Sequence, residues 1–110
     1  MLEVDKESFE AEVLQAEGLV FVDFWSPKCE PCLALMPDVL AFAEQNSGKA
    51  KFCKVDGAAN KRLAIAQKVM GLPALVFYKN GERAAVFNKD DIDMPAVQAK
   101  LDELAAGCAG

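Results

Sequence analysis

Two cysteines, Cys29 and Cys32, stand where a strand-like run meets a helix-like run, and that junction constrains the chain more than any other stretch. Upstream, Leu19-Val20-Phe21-Val22-Asp23-Phe24-Trp25 is apolar at nearly every position, the pattern of a central strand covered on both faces. Downstream, Leu33-Ala34-Leu35-Met36 is a strong helix former. The pair therefore sits on a strand-to-helix turn with Cys29 about at the helix N-cap. First-turn N–H groups lack intrahelical partners, and the helix dipole gathers partial positive charge there. A thiolate at Cys29 is stabilised in such a place. Cys32, three residues on and on the same helix face, is close enough to close a disulfide.

Composition narrows the chemistry. A chain of 110 residues reads as one domain, 1–110, large enough for a single core without covalent staples. The net charge of −5 argues against nucleic acid and anionic membrane as partners. Its acidic residues are spread along the chain as a solvated surface would have them. Met1-Leu2-Glu3-Val4-Asp5 lacks the apolar segment of a secretory signal, and the longest apolar runs fall short of a membrane span. The expectation is a cytoplasmic, reducing location, where paired cysteines are catalytic or metal-binding. A closed zinc site needs a second close-spaced pair or histidines. The chain has four cysteines and no His, and Cys53 and Cys108 each stand alone. Redox chemistry at Cys29 and Cys32, with no metal or cofactor, is the better reading.

The remaining elements follow from periodicity and punctuation. Leu2-Glu3-Val4 suits a short edge strand. Asp5 is placed to cap a helix running to about Glu17, with Phe9, Val13 and Ala16 on one face and Gly18 ending it. The helix entered at Cys29 should run to about Asn46, through Pro37, with Met36, Leu40 and Ala43 in helical spacing, Val39 and Phe42 flanking them, and Gly48 as terminator. Lys51 to Val55 reads as a strand, and Gly57 to Val69 as a helix with Leu63, Ala66 and Met70 on one side. Ala74 to Tyr78 is an apolar strand. Asn80-Gly81 signals a hairpin into Glu82 to Phe87. A last helix opens at Asp93 or Met94, turns Val97, Leu101 and Leu104 inward, and frays from Ala105. Strands separated by helices and ending in a hairpin imply an α/β sandwich with a mixed sheet.

This set of features resembles the thioredoxin family. The resemblance rests on the apolar strand with an internal Asp, Trp25, the C-x-P-C motif entering a helix, Gly71-Leu72-Pro73 before an apolar strand, Lys79-Asn80-Gly81-Glu82 and the C-terminal helix. It implies a three-layer sandwich, a central sheet of about five strands with helices on both faces, and protein thiol–disulfide exchange by a monomer. It also implies disulfide-containing protein substrates and a thioredoxin reductase as partners. By resemblance Pro73 is a cis-proline facing the cysteines, helping with Leu72 to bind substrate backbone. Asp23 is either a strand-end aspartate bonded to backbone or a buried carboxylate under the cysteines, and the resemblance favours the second. Lys54 is either solvated or the partner of Asp23. Trp25 is either plain core or a shield for the pair.

Exchange needs an attacking thiolate, a resolving thiol and proton traffic to the latter. Cys29, nearer solvent, suits attack; Cys32, one turn inside, suits resolution with Asp23 as its base. Pro31 stiffens the loop between them. The chain departs from the usual family pattern at Lys28 in place of Trp, Glu30 in place of Gly, Ala74 in place of Thr, and Lys89 in a stretch usually small and apolar. A charged rim built from Lys28, Glu30 and Lys89 implies a narrower clientele. The rival readings are a donor dedicated to one specific reductase and a non-catalytic binding module.

Overall fold

The computed structural model describes residues 1–107, so Cys108 lies outside the described residues. Its organising element is β2 (Leu19–Trp25), every residue of which is buried except the half-buried Trp25. Continuous apolarity makes this possible, because alternate side chains must find cover on opposite faces. To one side β2 pairs in parallel with β3 (Lys51–Asp56), and β3 pairs in parallel with the edge strand β1 (Leu2–Val4). To the other side β2 pairs antiparallel with β4 (Ala74–Lys79), which pairs antiparallel with β5 (Glu82–Phe87). The sheet therefore has five strands in the order β1-β3-β2-β4-β5.

Side-chain alternation splits the core into two layers. Leu19 and Phe21 of β2, with Leu75 and Phe77 of β4, pack against Val39 and Phe42 of α1 (Glu30–Gln45) and Val97 and Leu101 of α3 (Met94–Gly107). Phe21 is the centre of this layer, its ring 5.2 Å from Phe42, 5.7 Å from Phe52 and 5.3 Å from Phe77. On the opposite face Val20, Val22 and Phe24 join Val55, Val76 and Tyr78, covered by Phe9, Val13 and Ala64. Each such side chain contributes about 1.5–3 kcal/mol on burial. The result is the expected α/β sandwich, with a mixed sheet between helical layers.

Three helical expectations need correction. The first helix does not reach Glu17. Asp5 does cap, its carboxylate accepting from the N–H groups of Glu7 and Ser8, but the regular part is a π-helical turn at Glu10–Leu14. Gly18 is already clasped to the β4–β5 hairpin, donating to Asn80 Oδ1 and accepting from the Asn80 N–H, which takes the chain out of the helix early. In α1 the inward stripe is Cys32, Val39 and Phe42, while Leu40 is exposed. Once Cys32 faces inward, positions seven and ten residues on must follow it, and the Met36, Leu40 and Ala43 stripe is rotated away. The helix expected over Gly57 to Val69 shrinks to α2 (Lys61–Ala66), because Asp56 accepts from the N–H groups of Ala58 and Ala59 and holds a turn there. Ala64 and Val69 face inward, and Ala66 and Met70 do not. At the other end of the chain α3 continues through Gly107, and the rest of the stretch expected to fray from Ala105 on lies outside the described residues.

The hairpin at Asn80-Gly81 is as expected. Both residues have positive φ, 52° and 82°, which is what a two-residue turn matching strand twist requires. Gly81 is also sterically committed, since a Cβ there would stand 2.2 Å from the Leu14 carbonyl oxygen. Gly81→Ala is therefore expected to destabilise the fold by at least about 1–3 kcal/mol, the range for a strained backbone position. Denaturant midpoints of parent and variant check this, and an unchanged midpoint would contradict it.

Candidate active site

The chain leaves β2 at Trp25 and turns through Ser26-Pro27-Lys28. Ser26 is buried; its carbonyl accepts from the Cys29 N–H at 3.1 Å and its Oγ from the Lys28 N–H at 3.3 Å. Sequence reasoning passed over this serine, although a hydroxyl just after a strand commonly closes such a local turn. Cys29 follows with extended φ −93°, ψ 106° and caps α1 through its own sulfur, which accepts from the Cys32 N–H at 3.2 Å. Glu30 and Pro31 are the first two helical residues, where a missing N–H costs nothing. Cys29 and Cys32 are joined in a disulfide with Cα atoms 5.2 Å apart. Cys29 is half-buried and Cys32 is buried, so Cys29 is the more accessible of the two.

Below this turn the parity of β2 sets the next layer. Asp23 and Trp25 share the face of Leu19 and Phe21, the side covered by α1. Asp23 is 2% exposed, its Oδ1 has no hydrogen-bond partner, and no backbone N–H reaches its carboxylate among the described residues. The buried-carboxylate reading is the one the geometry supports. Burial pushes its pKa up to about 7, with the Lys54 charge pulling the other way. Lys54 lies opposite Asp23 in the parallel register. It makes no ion pair among the described residues; its ammonium sits 5.1 Å from the centre of the Trp25 ring, a cation–π arrangement. Lys54 therefore acts on Asp23 through space, and the direct pairing expected from sequence is not formed. The Trp25 indole N–H is buried without an acceptor, and its carbonyl accepts from the Gly57 N–H at 2.7 Å.

The strand register brings the other expected residues to the same end of the sheet. The Leu72-Pro73 peptide is cis, Pro73 is buried, and Ala74 pairs with Phe24, next to Trp25. Leu75 pairs with Phe87, the last residue of β5, and Lys89 opens a short 3-10 turn, Lys89–Asp91, just beyond that strand end. Lys28, Glu30, Pro31 and Lys89 are exposed, and Leu72 is half-buried. Cys53 is different. It is fully buried on the opposite face of the sheet, packed with Val4, Val55 and Val76, and burial pushes its thiol pKa up. Among the described residues no His, Cys, Asp or Glu cluster is arranged to hold a metal ion, and no helix is long and apolar enough to cross a membrane.

A family model for thioredoxin matches residues 1–103. The chain belongs to the thioredoxin family. The thioredoxin of Peptoclostridium acidaminophilum is 45% identical over 101 residues, covering 92% of each chain. That of Acetoanaerobium sticklandii is 46% identical over 101 residues, covering 92% of this chain and 96% of its own. Among solved structures, a single-residue mutant of the thioredoxin from Halobacterium salinarum superposes with a TM-score of 0.82 at 29% identity, over 94% of this chain and 89% of that one. Membership and the Cys29–Cys32 disulfide together make the chain a thiol–disulfide oxidoreductase acting on protein disulfides, its redox group the dithiol itself. Thioredoxins in general exchange with disulfide substrates and are recycled by reductases, and those classes of partner apply here.

Asp23 has a consequence for stability. Its carboxyl titrates near 7 when folded against an ordinary value of 3.8, so the folded state keeps a proton that the unfolded chain releases. The contribution is full below about pH 4 and is lost as pH rises through about 7. At 1.36 kcal/mol per unit the loss is on the order of 4 kcal/mol at alkaline pH. Asp23→Asn should therefore gain stability over the parent, with the gain growing from about pH 4 to pH 8. Denaturant titrations across that range test it, and a gain independent of pH would contradict it.

Proposed function

We propose that this thioredoxin reduces protein disulfides as a monomeric, single-domain electron carrier with Cys29 as nucleophile, Cys32 as resolving thiol and Asp23 as the base serving Cys32. The Cys29 thiolate attacks one sulfur of the substrate disulfide, forming a mixed disulfide and releasing the first substrate thiolate. Cys32 gives its proton to Asp23 and attacks the Cys29 sulfur, releasing the second substrate thiolate and leaving the Cys29–Cys32 disulfide. A thioredoxin reductase returns two electrons. The single observation that carries the assignment of roles is the asymmetry of burial, Cys29 half-exposed at the helix end and Cys32 covered. An Asp23 carboxyl held near neutrality can take a proton and return it at physiological pH, which is what a base for a buried thiol needs. Lys54 lowers the cost of its charged form, and Trp25 shields the pair. Leu72 and Pro73 would bind substrate backbone, flanked by Lys28, Glu30, Pro31 and Lys89. A reducing compartment, the cytoplasm, suits a carrier that must start each cycle as a dithiol.

A second reading, a donor dedicated to one specific reductase, is favoured by the exposed charges around the site, Lys28, Glu30 and Lys89 with Asp90 and Asp91 beside it. Trapping separates the two. Cys32→Ser should accumulate mixed disulfides because its resolving thiol is gone, whereas Cys29→Ser should abolish reduction and trap nothing. Many trapped proteins would indicate the general reductant and one the dedicated donor. An unreactive Cys32→Ser would refute the dithiol roles and leave a binding module.

Glu30 offers a test of the helix-end electrostatics. Its charge complements the dipole of α1 but stands next to Cys29, where it opposes a thiolate; Lys28 acts in the opposite sense. Glu30→Gly removes only the repulsion, so the reduced protein is favoured and the potential becomes less negative. Both charges are exposed and screened, so the shift should stay below the about 30 mV of a tenfold change. Equilibration with glutathione measures it, and a more negative potential would mean that Glu30 acts through loop geometry instead.

A further inference from the structure

We propose that the α2 side of the redox site is a two-part docking surface for partner segments that carry an apolar side chain beside acidic residues. This rests on the reading of the chain as a protein-disulfide reductant and names the class of segment it would engage. The first part is a cavity of about 180 Å³ between Gly57, Ala64, Ile65, Val69 and Leu72. That is smaller than the roughly 300–1,000 Å³ of small-molecule sites, and is the scale of one side chain. Gly57 keeps it open, since a Cβ there would stand 3.0 Å from the Leu72 side chain. Two links tie it to the reacting sulfurs. The Gly57 N–H is bonded to the carbonyl of Trp25, four residues before Cys29, and Leu72 forms the cis bond with Pro73. Beside the cavity Ile65 is 69% exposed and Met70 90%, so large apolar surface is left uncovered at its rim.

The second part adjoins the first through Lys61, which lines both. A cavity of about 260 Å³ runs from Lys61 past Arg62 and Asn60 to Lys6. None of Lys6, Lys61 and Arg62 is in an ion pair among the described residues. Asp5 and Glu7 flank Lys6 in sequence and Asp56 holds the adjoining turn, but no acid is among the residues that line this cavity, so on a chain of net charge −5 its wall gathers three cations. An acidic segment is attracted to these three cations, which orients it and raises its encounter rate. The apolar cavity then takes the neighbouring side chain and brings the partner's disulfide to Cys29.

Four synthetic peptides with an internal disulfide test this, each with Leu or Ala at one position and Asp or Lys flanking it, made at several spacings from the disulfide. At low salt the Leu/Asp peptide should be reduced with kcat/KM about tenfold above either single replacement, and the advantage of Asp should shrink as salt is added. Lys61→Glu combined with Arg62→Glu should reverse the preference for Asp over Lys, and Ile65→Asp should erase the preference for Leu over Ala. Bis(2-hydroxyethyl) disulfide, which has neither handle, should be reduced equally by parent and variants. Equal rates for the four peptides with the parent protein, or preferences that survive in the variants, would overturn the docking surface, as would a charge preference without the apolar one. Continued reduction of the hydroxyethyl disulfide in that case would leave the reductant reading standing. If the parent reduces no disulfide at all, that reading falls and the docking surface with it.

Discussion

Burial of β2 between two strands and two helical layers is the constraint on which the site depends. A slip of one residue would move every side chain of this strand to the opposite layer, breaking the packing of Phe21 on one face and of Val20, Val22 and Phe24 on the other, so its pairings are fixed. The parallel pairing with β3 then sets Lys54 opposite Asp23, and the antiparallel pairing with β4 sets the cis Leu72-Pro73 bond next to Trp25. Cys29 follows four residues after the strand ends, on a turn that Ser26 holds. These residues come from separate stretches of chain, and one strand positions all of them.

The same strand carries the main conflict between stability and chemistry. Asp23 occupies a position where Leu19 and Phe21 show what packing alone would choose. Its carboxylate is disfavoured by burial, and the nearby cation that could have neutralised it is seated over Trp25 instead. A direct Asp23–Lys54 ion pair would stabilise the carboxylate and make it a weaker base. Lys54 at a distance leaves the carboxyl near neutrality, where proton transfer in both directions is accessible. Cys53 shows the other consequence of strand parity. As the neighbour of Lys54 it must point to the opposite face, so a third thiol lies in the core without facing the disulfide.

Much of this was legible because it depends on local patterns. Unbroken apolarity marked β2, Asn80-Gly81 marked the hairpin, and C-x-P-C after a strand marked the helix end. What failed was phase and extent in helices. Met36, Leu40 and Ala43 and the observed Cys32, Val39 and Phe42 are stripes of similar apolarity on one helix, and only tertiary contact at Cys32 chooses between them. The helix over Gly57 to Val69 was overextended because the Asp56 carboxylate competes for its first N–H groups, a side-chain effect that periodicity does not register. The seat of Lys54 was equally out of reach. Register can be guessed from pattern, but whether an ammonium turns to a carboxylate or to an indole depends on the shape of the space between them.

The cap of α1 joins fold and chemistry at one atom. A serine or aspartate at that position would satisfy the first-turn N–H groups and do nothing else. Here the acceptor is the Cys29 sulfur, bonded by the Cys32 N–H while it is still in the disulfide. Pro31 has no N–H, so within Glu30-Pro31-Cys32 the free donors are those of Glu30 and Cys32. When the disulfide opens, negative charge develops on a sulfur that already faces a backbone donor and the positive end of the helix. In the proposed cycle little has to reorganise, because the groups that cap the helix in the disulfide form are the ones placed to stabilise a Cys29 thiolate.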